Sequence, residues 1–195
     1  MNYVIHGPKG RGKTLLMTRL LLHFKKRMPN MEILTNYNLY DVPYEYISML
    51  PRRRNDILQL MIRRLIGFDE VPQWLDARRA LTNSNIDFTS VLSLTRHAHA
   101  HFICTCQELK DVDARLRRQI EWLISPERII WNSQGEPEYI KAKFENQQDT
   151  SRPPFTRPIY VHNVLKRYDR YEILKLPEFS DNEKRGLRKG ESLPA

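Results

Sequence analysis

Apolar positions along the 195-residue chain alternate between strand-like runs and helical spacing. Tyr3-Val4-Ile5-His6 is a short apolar run suited to a buried strand, and Leu15, Leu16, Leu20, Leu21 and Phe24 then recur with a helical period. The helix is predicted from about Lys13 to Met28; its last turn carries Lys25, Lys26 and Arg27, which complement the helix dipole, and Pro29-Asn30 breaks it. Glu32 to Tyr37 reads as a second strand. Asp41 to Pro51 reads as irregular, punctuated by Pro43 and Pro51. Ile57 to Arg64 fits a short amphipathic helix or an extended approach to the next strand. Leu65-Ile66-Gly67-Phe68 is apolar and ends in Asp69-Glu70.

Pro72 suits the first turn of a helix over roughly Gln73 to Leu81. Thr82 to Asn85 reads as a loop, Phe88 to Arg96 as another helix, and His101 to Cys106 as a buried strand ended by Gln107. Asp111 is expected to cap a helix bearing Arg115, Arg117 and Arg118. From about Gln119 the pattern shifts to short strands. Ile129 to Trp131 and Tyr139 to Phe144 flank Asn132-Ser133-Gln134-Gly135-Glu136-Pro137, a hairpin-turn composition. Gln147 to Arg157 is polar and reads as an exposed loop, with Pro153, Pro154 and Pro158 nearby. Ile159 to Leu165 and Tyr168 to Leu174 look like late strands, and Ser180 to Ala195 like a charged, flexible tail. No internal repeat is visible.

The length suits one domain with a substantial core. The 32 basic against 23 acidic residues give a formal charge of +9, a balance that favours a phosphate-rich partner such as nucleic acid, or an anionic membrane surface. The run Arg52-Arg53-Arg54 reads as a solvated face or a DNA contact. Cys104 and Cys106 share one apolar run, where strand spacing makes poor disulfide geometry, so they are read as reduced core residues of a cytoplasmic protein. No apolar run approaches the roughly 20 residues of a membrane helix, and Met1 leads directly into a strand, so neither a transmembrane segment nor a signal peptide is expected.

The chemistry gathers first at Gly7-Pro8-Lys9-Gly10-Arg11-Gly12-Lys13-Thr14, which fits G-x-x-x-x-G-K-[ST] between a strand and a helix. In that context glycines let backbone N–H groups close around phosphate oxygens, and the helix start adds unpaired donors and a positive dipole end. Lys13 is placed to reach the β- and γ-phosphates of a nucleoside triphosphate, ATP by default, and Thr14 to ligate Mg²⁺. An ordinary Gly-rich strand–helix turn is the structural alternative. Asp69-Glu70 has the form of a Walker B strand end: Asp69 would hold the Mg²⁺ shell and Glu70 would polarise the attacking water. Gln107, at the tip of the neighbouring strand, is placed to sense the γ-phosphate or orient water, or simply to end the strand. His97, His99 and His101 alternate, but they straddle a helix–strand junction and read as surface sooner than as zinc ligands.

The stretch from Asp69 to Arg118 resembles the zonula occludens toxin (Zot)-like ATPases, a group that includes filamentous-phage assembly proteins and lies near the FtsK/HerA class of DNA-pumping P-loop ATPases. The matching positions are Asp69-Glu70, Arg78 or Arg79, Arg96-His97, Thr105-Cys106-Gln107, and Arg117 or Arg118; Tyr168-Asp169-Arg170-Tyr171-Glu172 is similar to a tyrosine-rich segment of the same domain. The similarity runs in order over about the first 175 residues. It implies an α/β P-loop NTPase of the ASCE/RecA-like type, with a mostly parallel central sheet flanked by helices and a C-terminal β-hairpin region. The ATPase domain is expected over 1–178, its β-rich part over 119–175, and a basic tail over 179–195.

The family pattern often continues into a membrane helix, which is not expected here, so the resemblance points to the packaging or morphogenesis ATPases of bacterial and archaeal viruses. It implies Mg²⁺–ATP hydrolysis driving DNA translocation, packaging or virion assembly. The implied partners are DNA, as a double-stranded viral genome, capsid or membrane proteins, and further copies of the chain in a pentamer or hexamer. An arginine of the neighbouring subunit, Arg78, Arg96 or Arg118, would then stabilise the transferring charge. The implied location is the host cytoplasm or the virion. A small-molecule P-loop kinase is the second reading, with Arg115 to Arg118 imitating a lid, and a non-catalytic nucleotide-binding assembly module is the third.

Overall fold

The computed structural model of the chain describes residues 1–48, 54–73, 95 and 98–168. Strand β1 (Asn2–His6) leads through the Gly-rich loop into helix α1 (Lys13–Arg27), followed by β2 (Glu32–Thr35), β3 (Glu45–Tyr46), α2 (Arg54–Met61), β4 (Arg64–Phe68), β5 (His101–Cys106) and the short α3 (Ala114–Arg117). Three longer strands complete it: β6 (Trp122–Trp131), β7 (Pro137–Asn146) and β8 (Phe155–Tyr160). All the strands join one eight-stranded sheet in the order β3-β2-β4-β5-β1-β6-β7-β8. Every pair from β3 to β6 is parallel, while β6–β7 and β7–β8 are antiparallel.

Strands buried on both faces account for the unbroken apolar runs. On one face Val4, Ile66, Phe68, Phe102, Cys104 and Cys106 pack with Ile57 and Met61 of α2. On the other, Ile5, Ile33, Leu65 and Ile103 meet Leu16, Met17 and Leu21 of α1. Helix α1 sits close to the sheet at Gly67: a Cβ there would meet Leu21 Cδ1 at 2.6 Å. The sheet order separates β1 from β4 by one strand, β5, so the ends of the P-loop strand, of β5 and of the Asp-Glu strand lie side by side.

Four expectations change. The irregular stretch after Tyr37 contains β3, two residues long, held beside β2 by pairs Leu34–Glu45 and Thr35–Tyr46. The cap of α3 is Asp113, whose side chain accepts from Arg115 N at 2.7 Å; Asp111 instead closes a 3₁₀ turn over Leu109–Asp111. The loop after Asn146 ends earlier, because Phe155-Thr156-Arg157-Pro158 already pairs with β7. Pro158 is tolerated since β8 is an edge strand of the sheet among the described residues. Finally, β8 stops at Tyr160, where the strand was expected to run from Ile159 to Leu165, and Leu165 instead opens a 3₁₀ turn over Leu165–Arg167.

The helices expected over 73–81 and 88–96, apart from Gln73, which ends a 3₁₀ turn over Val71–Gln73, and Thr95, together with the loop over 82–85, the Arg52-Arg53 pair and the segment beyond Tyr168, lie outside the described residues. No helix among the described residues is long and apolar enough to cross a membrane.

Candidate functional site

Gly12 is the last residue before α1 and stands at φ 79°, a left-handed conformation that a side chain would strain. Space is tight there as well: a Cβ would lie 3.0 Å from Ile140 Cδ1 and 3.2 Å from Ile129 Cδ1, so those methyl groups would have to give. The loop therefore rests on the β6–β7 hairpin, and Arg11 ties the two together by donating from Nη1 to the Glu127 carbonyl at 2.8 Å. Helix α1 begins with no side-chain cap and no acidic residue in its first turn, leaving its N-terminal donors for an anion. Lys13 is buried and donates from Nζ to the carbonyls of Gly7 at 3.0 Å and Pro8 at 3.3 Å.

Thr14 and Asp69, 55 residues apart in sequence, meet directly: Thr14 Oγ1 donates to Asp69 Oδ2 at 2.8 Å. The other carboxylate oxygen, Oδ1, accepts from Thr105 Oγ1 at 2.5 Å, and Thr105 Oγ1 in turn accepts from the Glu70 N–H at 2.8 Å. Asn36, past the end of β2, clamps the backbone on the other side: its Oδ1 accepts from Asp69 N at 2.8 Å and its Nδ2 donates to Asp69 O at 2.9 Å. Held between Thr105 and this clamp, Glu70 adopts φ 49°, a conformation that a non-glycine residue keeps only where the surroundings over-determine it.

Burial pushes the Asp69 carboxyl above its ordinary range, against the hydrogen bonds of Thr105 and Thr14 and the charge of Lys13. Glu70 is also raised, first by burial and then by the neighbouring Asp69 charge; Lys13, a hydrogen bond from Gln107, and Lys9 pull it back. A carboxylate so poised suits a general base. The Cys106 thiol, pushed up to about 12 by burial and then by Glu70, stays protonated beside the site.

A cleft of about 630 Å³ opens between the P-loop residues Gly7, Pro8 and Lys9 and the Gln107–Leu109 segment beyond β5. Of the residues singled out from sequence, Gly7 to Lys9 and Gln107 line this cleft; Gln107 hydrogen-bonds Glu70, Lys13 lies near Glu70 and Asp69, and Thr14 donates to Asp69. Arg118 does not join them: it is exposed at the end of α3, with Nε donating to the Ala114 carbonyl at 3.4 Å. Arg78, Arg79, Arg96 and His97 lie outside the described residues. Asn36 is absent from the sequence-based set, and Thr105 enters it only through the resemblance. Both stand at or just past the C-terminal end of a parallel strand, where sites of open α/β sheets assemble.

No family model and no curated protein sequence matches the chain. Among solved structures, the N-terminal domain of zonular occludens toxin from Neisseria meningitidis is similar over 86% of this chain and 98% of that one, at 19% identity and a TM-score of 0.63. The genome packaging NTPase B204 of Sulfolobus turreted icosahedral virus 2, in complex with AMP, is similar over 80% of this chain and 96% of its own, at 13% identity and a TM-score of 0.57. The chain has a P-loop NTPase fold. The same fold carries the β1–loop–α1 unit and the β4 carboxylates described above, with β5 inserted between them.

Proposed function

We propose that the chain is a Mg²⁺-dependent ATPase whose hydrolysis drives DNA translocation, genome packaging or virion assembly, working as a homo-oligomeric ring. The observation that carries this reading is the Thr14–Asp69 contact at 2.8 Å with Glu70 next to it. A hydroxyl and a buried carboxylate make a hard oxygen donor set of the kind Mg²⁺ takes, and the uncapped start of α1 suits phosphate. When bound, Mg²⁺ would neutralise charge on the phosphate oxygens.

The chain's own residues would do the rest. The P-loop and Lys13 hold the phosphates, exchanging the internal bonds of Lys13 to Gly7 and Pro8 for phosphate oxygens. Thr14 and Asp69 hold the metal. Glu70 takes a proton from water, and Gln107 fixes the Glu70 carboxylate. A base with its own orienting amide favours water as nucleophile, not a phosphate acceptor. Two of the similar structures are of a genome packaging NTPase, in complex with ATP-gammaS and with AMP. These likenesses support the nucleotide and the packaging role; the +9 charge supports a nucleic-acid partner.

Phosphate release by the full chain tests the reading, with Mg²⁺ and with chelator present. Glu70→Gln should bind ATP as before and turn over about 10²–10⁴-fold more slowly, the usual loss on removing a general base. Unchanged turnover in that variant, or transfer of phosphate to an added small acceptor in place of release, would reject it.

A further inference from the structure

A second cavity, of about 560 Å³, lies on the α1 side of the β6–β8 wing. Its volume falls in the roughly 300–1,000 Å³ range of ligand sites. Arg19 and Leu20 of α1 line it, about 9 Å or more along the helix from Lys13, so the phosphate chemistry does not use it. Phe144 and Phe155 form a cross-strand pair of β7 and β8 with rings nearly parallel, at 6° and 5.2 Å between centroids. Trp122 meets Phe155 edge-on at 6.0 Å. Arg157, two residues along β8 and so on the same face, lies over Phe155 at 4.6 Å and Phe144 at 5.7 Å. The aromatic surface is open at Phe155, which is 37% exposed; Tyr160, five residues along β8, faces the other side of the sheet, where its ring meets Tyr139 at 5.7 Å.

The charged side chains that line this floor are positive; Glu121 lies behind it, 3.8 Å from the Met1 amine. Arg19, whose Nε donates to the Tyr160 carbonyl at 2.8 Å, and Arg157 both line the cavity, and no carboxylate among the described residues does. His23 also lines it, its pKa lowered first by burial and then by Arg27, Arg19 and Lys26 of the same helix. The outer strand itself discourages sheet extension by another chain, since Pro158 has no N–H to offer. What binds here must therefore meet ring faces and guanidinium planes. The complementary ligand is flat, aromatic and regularly anionic. A duplex hides its base faces; a single strand presents them.

We propose that this aromatic groove binds single-stranded nucleic acid, with bases stacked on Phe155 and the Arg157 guanidinium and phosphates set against Arg19. It rests on the nucleic-acid half of the function proposed above and is independent of hydrolysis. The test is fluorescence anisotropy of a labelled oligothymidylate, and of a duplex of the same length, with the full chain at low salt. Phe155→Leu should weaken oligothymidylate binding roughly five- to a hundredfold, the range of one lost base stack, while Tyr160→Ala, on the other face, should leave it unchanged. Arg157→Ala should weaken it and lower the salt slope by about one. Turnover of ATP without nucleic acid should stay at the wild-type rate in all three.

If oligothymidylate binds but neither Phe155→Leu nor Arg157→Ala weakens it, or if these two weaken duplex binding equally, the groove assignment falls and the DNA reading stands. If neither nucleic acid binds at low salt, the DNA reading falls with it, while phosphate release still judges the ATPase separately. If the variants instead break up an oligomer in sedimentation, the groove is an interface between copies and the proposal is overturned.

Discussion

Asn36 grips the backbone of Asp69 with both ends of its amide, at 2.8 Å and 2.9 Å, and is itself 2% exposed. Cutting this clamp leaves a buried N–H and a buried carbonyl without partners, each at a cost of about 1–3 kcal/mol. Asn36→Ala should therefore lose roughly 2–4 kcal/mol in urea unfolding. It should also lose at least about tenfold in turnover, because Glu70 would no longer be fixed at its unusual φ. Nucleotide affinity should change little, since Gly7 to Thr14 are untouched. Asn36→Asp is the sharper variant: it keeps the volume but sets a carboxylate against the Asp69 carbonyl. Wild-type turnover in both variants would show that the clamp has no part in the reaction.

Gly12 faces two constraints, the left-handed φ of 79° and the methyl groups of Ile140 and Ile129. A left-handed non-glycine residue costs about 1–2 kcal/mol before any clash is counted. Gly12→Ala should weaken ATP binding at least about tenfold in a fluorescent-nucleotide titration. The double variant Gly12→Ala with Ile140→Val, which opens space, should recover only the part due to the clash. Full recovery would mean that the conformation is not a constraint.

The difference between Gly12 and Asn36 explains what the sequence could and could not reveal. A glycine-lysine-threonine spacing is legible because loop geometry demands those residues at those intervals, and Asp69-Glu70 is legible because the carboxylates end an apolar run. One asparagine after a strand carries no such interval. Thr105 is similar: its role depends on β5 lying between β1 and β4, a fact of sheet order that no local pattern encodes. The first half of β6 was obscured by Pro126. The proline fits because β6 pairs with β1 only over Trp122–Ile124, after which β1 turns into the P-loop. Asp113 takes the cap from Asp111 because an intervening 3₁₀ turn delays the start of α3.

Three imidazoles, His6, His23 and His101, have pKa values lowered chiefly by burial. His6 Nε2 also pairs with Ser125 Oγ at 2.7 Å beside the P-loop. The native state declines protons that the unfolded chain accepts once pH falls through about 6.5. Stability contributed by these groups is thus present above that value and declines toward acid, down to the lowered native values. Asp69 and Glu70, raised in the native state, act in the opposite sense in the carboxylate range, so the comparison belongs near pH 6–7. In urea unfolding the wild type should lose stability as pH is lowered there, and His6→Gln should show a shallower slope. Identical slopes would place the protonation elsewhere.

Gln107 offers the most direct probe of the proposed base. Its hydrogen bond lowers the Glu70 pKa, opposing burial and the Asp69 charge, which raise it. A base works only when ionised, so turnover should fall as pH drops through the Glu70 pKa. Removing the hydrogen bond with Gln107→Leu takes away one of the influences that hold that pKa down. The acid limb of the turnover–pH profile should then move to higher pH, with the variant nearest to wild type at alkaline pH. A uniform loss at every pH, with the limb unmoved, would mean that Gln107 touches the phosphate or the water and does not act through Glu70. In Glu70→Gln the acid limb should vanish altogether, whatever stands at 107, because no titrating base remains at that position.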